Sequence, residues 1–365
     1  MTLVVKLGSS VVATDRGALR RDVLASVCRQ VGALAHQGES IVLVTSGAIA
    51  RGMWLLKREV RPKAMDELQA ASAIGQSDLF RAYEGRLKRH GVTAAQVLLT
   101  RSDIGIQENY RNARQTIQRL LHWGMVPIVN ENDTTATEEI TFGDNDFLAA
   151  QIAVFLHART LVLLTNTDGL YRSDPRVNPK SQLVKEVRNF EQFRRIELGH
   201  RPSHLGRGGM TSKIAAAEMA STSGVRVVIC NGRSKDAVVQ VAEGRRVGTR
   251  FTAAKKNRKA PARKLWLKYG SDPAGIIYVD DGAAERLRMS GSSLLAVGIV
   301  GLAGRFEAGD VVEVWDARDG KVGRGITEFS SRDLKRIQGR KSHRVREQFP
   351  DAPDEVIHRD RFVLV

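Results

Sequence analysis

The sequence predicts an α/β protein: a three-layer α/β/α sandwich with a mostly parallel sheet over residues 1–253, then a small, mainly-β barrel over 265–365. Three observations predict it. Short apolar runs alternate with amphipathic helical stretches through the first part of the chain, the pattern of a parallel sheet covered on both faces. The texture then changes, after a basic stretch at 254–264, to Gly-rich, short β-type runs. Finally, two clusters of Asn and Asp stand where strands should end, and the crevice beyond strand carboxyl ends is where open α/β sheets bind ligands.

In chain order, the strand-like runs are Leu3–Leu7, Ser40–Thr45, Ala95–Leu99, Met125–Val129, Thr160–Thr165 and Val225–Cys230, with a weaker one over Glu139–Phe142. Helical patterns cover Leu19–His36, Ala64–His90, Asn109–Trp123, Asp144–Leu156 and Thr211–Ser223. Beyond the basic stretch, strands are expected at Gly275–Val279, Leu294–Val300, Asp310–Asp316 and Gly323–Glu328, and a helix at Ser331–Ile337. Asp281-Gly282, Glu307–Asp310 and Asp319-Gly320 read as turns between them.

The 365 residues suit one large and one small domain. No apolar run approaches the roughly 20 residues that span a bilayer, and Met1–Lys6 enters a strand directly instead of forming a secretion signal. Cys28 and Cys230 stand far apart and suit buried thiols in a reducing compartment, so the chain is expected in the cytoplasm, without a zinc site or disulfide framework. The net charge of +17 is shared, with 35 Lys+Arg against 24 Asp+Glu before residue 254 and 22 against 16 after it. Lys255–Lys264, with six basic residues in ten, fits either a solvated linker or a contact with an anionic partner.

Six motifs carry chemistry. Lys6-Leu7-Gly8-Ser9 ends the first strand and offers a cation, a close backbone approach and N–H donors to an anion. Thr45-Ser46-Gly47 ends the second; Ser46 can cap the next helix or leave its N–H groups to a carboxylate or phosphate. Leu205–Lys213 is Gly-rich without Walker spacing, either a phosphate-covering loop with Lys213 behind it or a surface turn. Asn130-Glu131-Asn132-Asp133 and Gly143-Asp144-Asn145-Asp146 are the polar clusters, and Thr165-Asn166 with Asp168-Gly169-Leu170-Tyr171 ends the fifth strand.

Taken in order, Val44–Ile49, Asn130–Asp133, Gly143–Asp146, Gly169–Tyr171 and Gly208–Met210 resemble the amino-acid kinase superfamily, and within it the bacterial glutamate 5-kinases. Gly291–Leu295 and Val297–Ile299 resemble a PUA domain, a module that binds RNA elsewhere. The resemblance implies the amino-acid kinase fold, a PUA-like barrel and transfer of the ATP γ-phosphoryl group to the side-chain carboxylate of L-glutamate. Mg²⁺ is then expected through the ATP phosphates, with no protein metal site. Lys6 and Lys213 would contact the phosphates, with Asp144 between them as the third catalytic residue. Gly8 and Ser9, Thr165 and Asn166, and Arg207, Gly208, Gly209, Met210, Thr211 and Ser212 would hold the nucleotide. Ser46, Asp133 and Asn145 would bind glutamate, supported by Asn130 and Asp146. The family has Asp where this chain has Asn166, and Thr where it has Arg207. The same resemblance implies a homo-oligomer, a dimer or tetramer, and feedback inhibition by proline near Ser46 and Asp133, with 105–112 and 131–142 as further parts. An acetylglutamate kinase or aspartokinase is the nearest alternative; an RNA-binding regulator built on the barrel is a more distant one.

Overall fold

The computed structural model describes residues 1–100, 103, 107–135, 144–188, 190, 209–254, 264, 267–268, 273–318, 320–350 and 352–364. The chain divides into two compact units, Met1–Lys259 and Ala260–Val365. Outside the described residues lie the expected strand at Glu139–Phe142, Gly143, the Leu205–Gly208 part of the Gly-rich loop, most of the basic stretch, and parts of 105–112 and 131–142.

In the first unit, β1 (Thr2–Leu7), β2 (Ser40–Val44), β3 (Ala94–Leu99), β4 (Val126–Glu131), β5 (Thr160–Thr165), β6 (Glu186–Val187), β7 (Arg226–Asn231) and β8 (Thr249–Phe251) form one sheet. Their order is β3-β4-β2-β1-β5-β7-β8-β6, and only the β7–β8 pair is antiparallel. The helices are α1 (Ser9–Val12), α2 (Arg21–His36), α3 (Ala48–Leu55), α4 (Met65–Arg89), α5 (Gln107–His122), α6 (Asp144–Phe155), α7 (Met210–Thr222) and α8 (Ala237–Ala242). The sequence pattern misses α8 and the short strands β6 and β8, too brief to show a period.

Side chains alternate between the two faces of a strand. Leu3, Val5 and Leu7 of β1 join Ile41, Leu43, Val162 and Leu164 in a core with α2, Leu79, Tyr83 and Leu87 of α4, and Val238 of α8. Val4 and Lys6 therefore face the opposite layer, where α6 and α7 pack on each other. This parity carries the lysine of β1 toward the first turns of α6 and α7. Helices α3 and α4 approach backbone to backbone: a Cβ on Gly52 would stand 1.7 Å from the Ala71 carbonyl oxygen, and one on Gly75 would stand 1.9 Å from that of Ala48.

In the second unit, β9 (Gly275–Val279), β11 (Ile299–Gly304), β12 (Val311–Asp316), β13 (Lys321–Ile326) and β15 (Phe362–Leu364) form a five-stranded sheet, ordered β11-β9-β12-β13-β15. Strands β10 (Leu294–Leu295) and β14 (Glu355–Ile357) form a separate pair. Helices α9 (Asp281–Ser290), α10 (Ser331–Ile337) and α11 (Ser342–Gln348) complete the unit. Asp281-Gly282 is thus the start of a helix and not a turn, because the Asp280 carboxylate accepts from the Ala283 N–H and caps it. The expected strand Leu294–Val300 is interrupted by a 3₁₀ turn at Ala296–Gly298.

Candidate active site

The carboxyl edge of the first unit's sheet collects most of the expected site residues. Gly8 follows β1 and its N–H reaches the Leu164 carbonyl at 3.4 Å; the Thr45 N–H after β2 binds the Val129 carbonyl at 2.9 Å; the Gly232 N–H binds the Thr165 carbonyl at 2.9 Å. The sheet hydrogen bonding thus continues one residue past the strands and fixes the starts of the loops.

At the center, the Asp146 carboxylate, wholly buried, bridges two ammonium groups: Lys6 Nζ at 2.7 Å and Lys213 Nζ at 3.1 Å. Ser212 Oγ donates to the same carboxylate at 2.8 Å and lies 2.9 Å from the Gly209 carbonyl. Burial would raise the Asp146 carboxyl, but the charges of Lys6 and Lys213 and the hydrogen bonds from Lys6 and Ser212 outweigh it and hold the group below the usual carboxylate range. Burial likewise lowers Lys6, with the nearby Lys213 adding to the effect and Asp146 opposing it. The bridging carboxylate is therefore Asp146, two residues after the expected Asp144. Asp144 opens α6 and Asp146 lies two residues further along it.

Around this cluster, three helices begin without a side-chain cap: α1 at Gly8, α3 at Gly47 and α7 at Gly209. Ser46 is therefore not the cap of α3. Gly47 takes that position at φ 104°, a conformation open to glycine and strained for other residues. Uncapped first turns leave N–H groups and the positive end of the helix dipole to an anion. Ser9 and Ser212 are half-buried and Lys213 is buried, Gly209 and Met210 are half-buried, and Thr211 is exposed. Arg207 and Gly208 lie outside the described residues.

A second cluster lies at the end of β4. Asp133 is buried and accepts from Ser72 Oγ at 2.6 Å; the buried Asn130 donates from Nδ2 to Gln76 Oε1 at 2.6 Å. Burial raises the Asp133 carboxyl, opposed by the Ser72 hydrogen bond and the Arg61 guanidinium. The carboxamide oxygens of Asn130 and Asn145 are buried and have no hydrogen-bond partner among the described residues. Thr45 Oγ1 meets the buried Tyr83 hydroxyl at 2.9 Å and so ties the residue before Ser46 to α4. A cavity of about 510 Å³ opens beside this cluster, lined by Ser72, Gln76, Asn132 and Asp133 among others.

On the other side, Thr165 Oγ1 donates to Asn166 Oδ1 at 3.4 Å, and Asn231 Nδ2 donates to Asp168 Oδ1 at 3.0 Å. Sequence reasoning missed Ser72, Gln76, Arg61 and Asn231. The one available signal was Ser72 and Gln76, a polar pair spaced i, i+4 on the helix that packs against the sheet.

The chemistry of the arrangement follows from its charge. Two buried ammonium groups share one carboxylate, leaving about one positive charge uncompensated beside three open helix N-termini, a setting for a phosphate chain. Asp133 and the unpartnered carboxamide oxygens offer acceptors to an ammonium-bearing partner. Among the described residues, no group of three His, Cys, Asp or Glu is placed to hold a metal ion. No described helix is long and apolar enough to cross a membrane.

Comparison with known proteins gives the family. The amino acid kinase family model matches residues 1–231, and the PUA domain model matches 275–349. The chain is 42% identical over 364 residues to the glutamate 5-kinase of Paraburkholderia phymatum and 43% identical to that of Burkholderia mallei strain SAVP1, covering all of this chain and 97% of each relative. Among solved structures, it resembles the UMP kinase of Ureaplasma parvum (TM-score 0.48, 16% identity, 69% of this chain and 98% of that one). It also resembles an isopentenyl phosphate kinase (TM-score 0.49, 18% identity, 69% and 100%). Matched by the family model over its first 231 residues and by these relatives over its whole length, the chain belongs to the amino acid kinase family, among the glutamate 5-kinases.

Proposed function

We propose that the protein transfers the γ-phosphoryl group of ATP to the side-chain carboxylate of L-glutamate, giving L-glutamate 5-phosphate, the first step of proline biosynthesis. The observation that carries the reading is the Lys6–Asp146–Lys213 bridge. A glutamate side chain has an ordinary pKa near 4.3 and is ionised at neutral pH, so the nucleophile needs no general base. The barrier is instead the repulsion between that carboxylate and the triphosphate, together with charge on the moving phosphoryl group. Lys6 and Lys213, held apart and oriented by Asp146, offset that charge from one side of the site. The N–H groups after Gly8 and Gly209 add donors for the phosphates, and Thr165, Asn166 and Asn231 flank the nucleotide. Mg²⁺, bound through the phosphate oxygens, would supply further charge neutralisation beside the ammonium groups of Lys6 and Lys213. Asp133 pairs with the α-ammonium of glutamate, and Ser46 and Asn145 receive its α-carboxylate end.

The test is trapping of the acyl phosphate. The full chain with ATP, Mg²⁺, L-glutamate and hydroxylamine should give glutamyl hydroxamate, and N-acetylglutamate or aspartate should give none. Lys213→Ala should abolish the product. ADP release without hydroxamate would mean a different acceptor.

Proline, which shares the α-amino-acid end of glutamate, would compete near Ser46 and Asp133, and the enzyme would work as a homo-oligomer in the cytoplasm. The buried thiols of Cys28 and Cys230, both pushed up to about 12 by burial, suit that reducing compartment. The second unit adds RNA as a candidate partner. What supports it is a set of exposed cations on α10 and in the connection to α11, where Arg332, Lys335, Arg340 and Lys341 make no ion pair among the described residues.

A further inference from the structure

Helix α4 places Ser72 and Gln76 one turn apart, so both side chains stand on the same face, one above the other. Each spends a hydrogen bond on a buried residue at the end of β4. Ser72 Oγ donates to Asp133 Oδ2 at 2.6 Å, and Gln76 Oε1 accepts from Asn130 Nδ2 at 2.6 Å. The two bonds have different consequences. A hydroxyl has one proton to give, so Ser72 satisfies one carboxylate oxygen and leaves the other to meet a donor. Gln76 takes a proton of the Asn130 amide, which turns Nδ2 toward α4 and leaves the buried Oδ1 without a partner among the described residues.

The stripe is held in place. Gly52 and Gly75 let the backbones of α3 and α4 touch, so α4 has little freedom to shift against the loop that carries Ser46. Ser72, Gln76 and Asp133 also line the same cavity of about 510 Å³. A stripe that only satisfied buried polar groups would have no reason to face such a space.

We propose that Ser72 and Gln76 are positioning residues for the acceptor amino acid: they fix the Asp133 carboxylate and the Asn130 carboxamide in the orientation in which these groups receive the substrate's ammonium end. The inference rests on the glutamate reading above. It concerns binding of the acceptor and not phosphoryl transfer, since Lys6, Asp146 and Lys213 make no hydrogen bond to either residue.

The experiment is steady-state kinetics on the full chain, with both substrates varied, for Ser72→Ala, Ser72→Thr and Gln76→Leu. Ser72→Ala and Gln76→Leu should each raise the KM for glutamate about tenfold or more, as expected for losing a hydrogen bond to a buried polar group. The kcat and the KM for ATP should stay within about threefold, and Ser72→Thr, which keeps the hydroxyl, should restore the glutamate KM. Double variants give the sharper readout. Added to Asp133→Asn, Ser72→Ala should change the glutamate KM no further, and Gln76→Leu should add nothing to Asn130→Ala. A glutamate KM within twofold of the wild type in either single variant overturns the inference. So does a parallel loss of kcat, both KM values and thermal midpoint, or failure of Ser72→Ala to fold, since those mark a purely structural role. If the wild type yields no hydroxamate from glutamate, the acceptor reading itself fails and takes this inference with it.

Discussion

Two buried carboxylates a short distance apart in sequence, Asp133 and Asp146, are shifted in opposite directions for reasons visible in their partners. Asp146 has two cations and a hydroxyl on it, so its folded-state pKa lies below the ordinary 3.8. Its contribution to stability is therefore present above that value and is lost as pH falls through the depressed one. Asp133 is raised above 3.8 by burial. Its contribution is full below 3.8 and is lost as pH rises through the raised value, so near neutrality the ionised group is a burden on the fold. Asp133→Asn is accordingly expected to raise the melting temperature at pH 7 by roughly 2 °C while raising the KM for glutamate. Asp146→Asn should do the reverse, costing about 3 kcal/mol or more because two buried ammonium groups lose their common partner. Melting curves between pH 2 and pH 8 check both signs. A residue kept where it weakens the fold is there for its ligand.

Helices α3 and α4 show how an element sets a site without contributing a charge to it. Gly75→Ala would drive a methyl group into the Ala48 carbonyl, and the overpacking should cost about 1–3 kcal/mol and raise the KM for glutamate by displacing the Ser46 loop. Gly85→Ala is the control: it lies on the exposed side of α4 with no atom within 4 Å of the added Cβ, and should gain about 0.5–1 kcal/mol with unchanged kinetics. Urea unfolding of both variants separates the cases. The six strands of the first unit expected from apolar runs all form; five are buried on both faces, where a strand shows itself in composition alone, and β3 is the partly exposed edge strand. Helix α9 was illegible for the opposite reason: Asp-Gly is a turn signal, and only the Asp280 cap and the apolar face of Ala284 and Leu287 show a helix there. The site motifs were legible as groups, but the choice of Asp146 over Asp144 was not. Which residue of the motif meets the lysines depends on how α6 packs against β1, a contact that the sequence does not display. Ser72 and Gln76 were hidden because a buried serine and glutamine on a long helix look like ordinary helix residues until their partners are placed.

At the scale of the whole molecule, the net charge of +17 belongs to both units, and the exposed cations on α10 and in the connection to α11 give part of it a location. If that set meets RNA phosphates, Arg340→Glu with Lys341→Glu should reduce the slope of log affinity against log salt by about 2 and leave glutamate phosphorylation unchanged. Filter binding at several salt concentrations measures the slope, and an unaltered slope would place the contact elsewhere. The order of strands in the first unit has a consequence of another kind. Strand β1, which precedes both its partners in the chain, lies in the middle of the sheet, with Leu3 beside Ile41 on one side and Thr160 on the other. Until β5 leaves the ribosome, one edge of β1 has no strand to pair with, and Lys6 lacks the Asp146 carboxylate until α6 has emerged. A sheet closed by pairings so distant in sequence folds late and slowly. The charge bridge at its edge can therefore form only after the polypeptide has emerged beyond Lys213, which makes the site one of the last parts of the unit to exist.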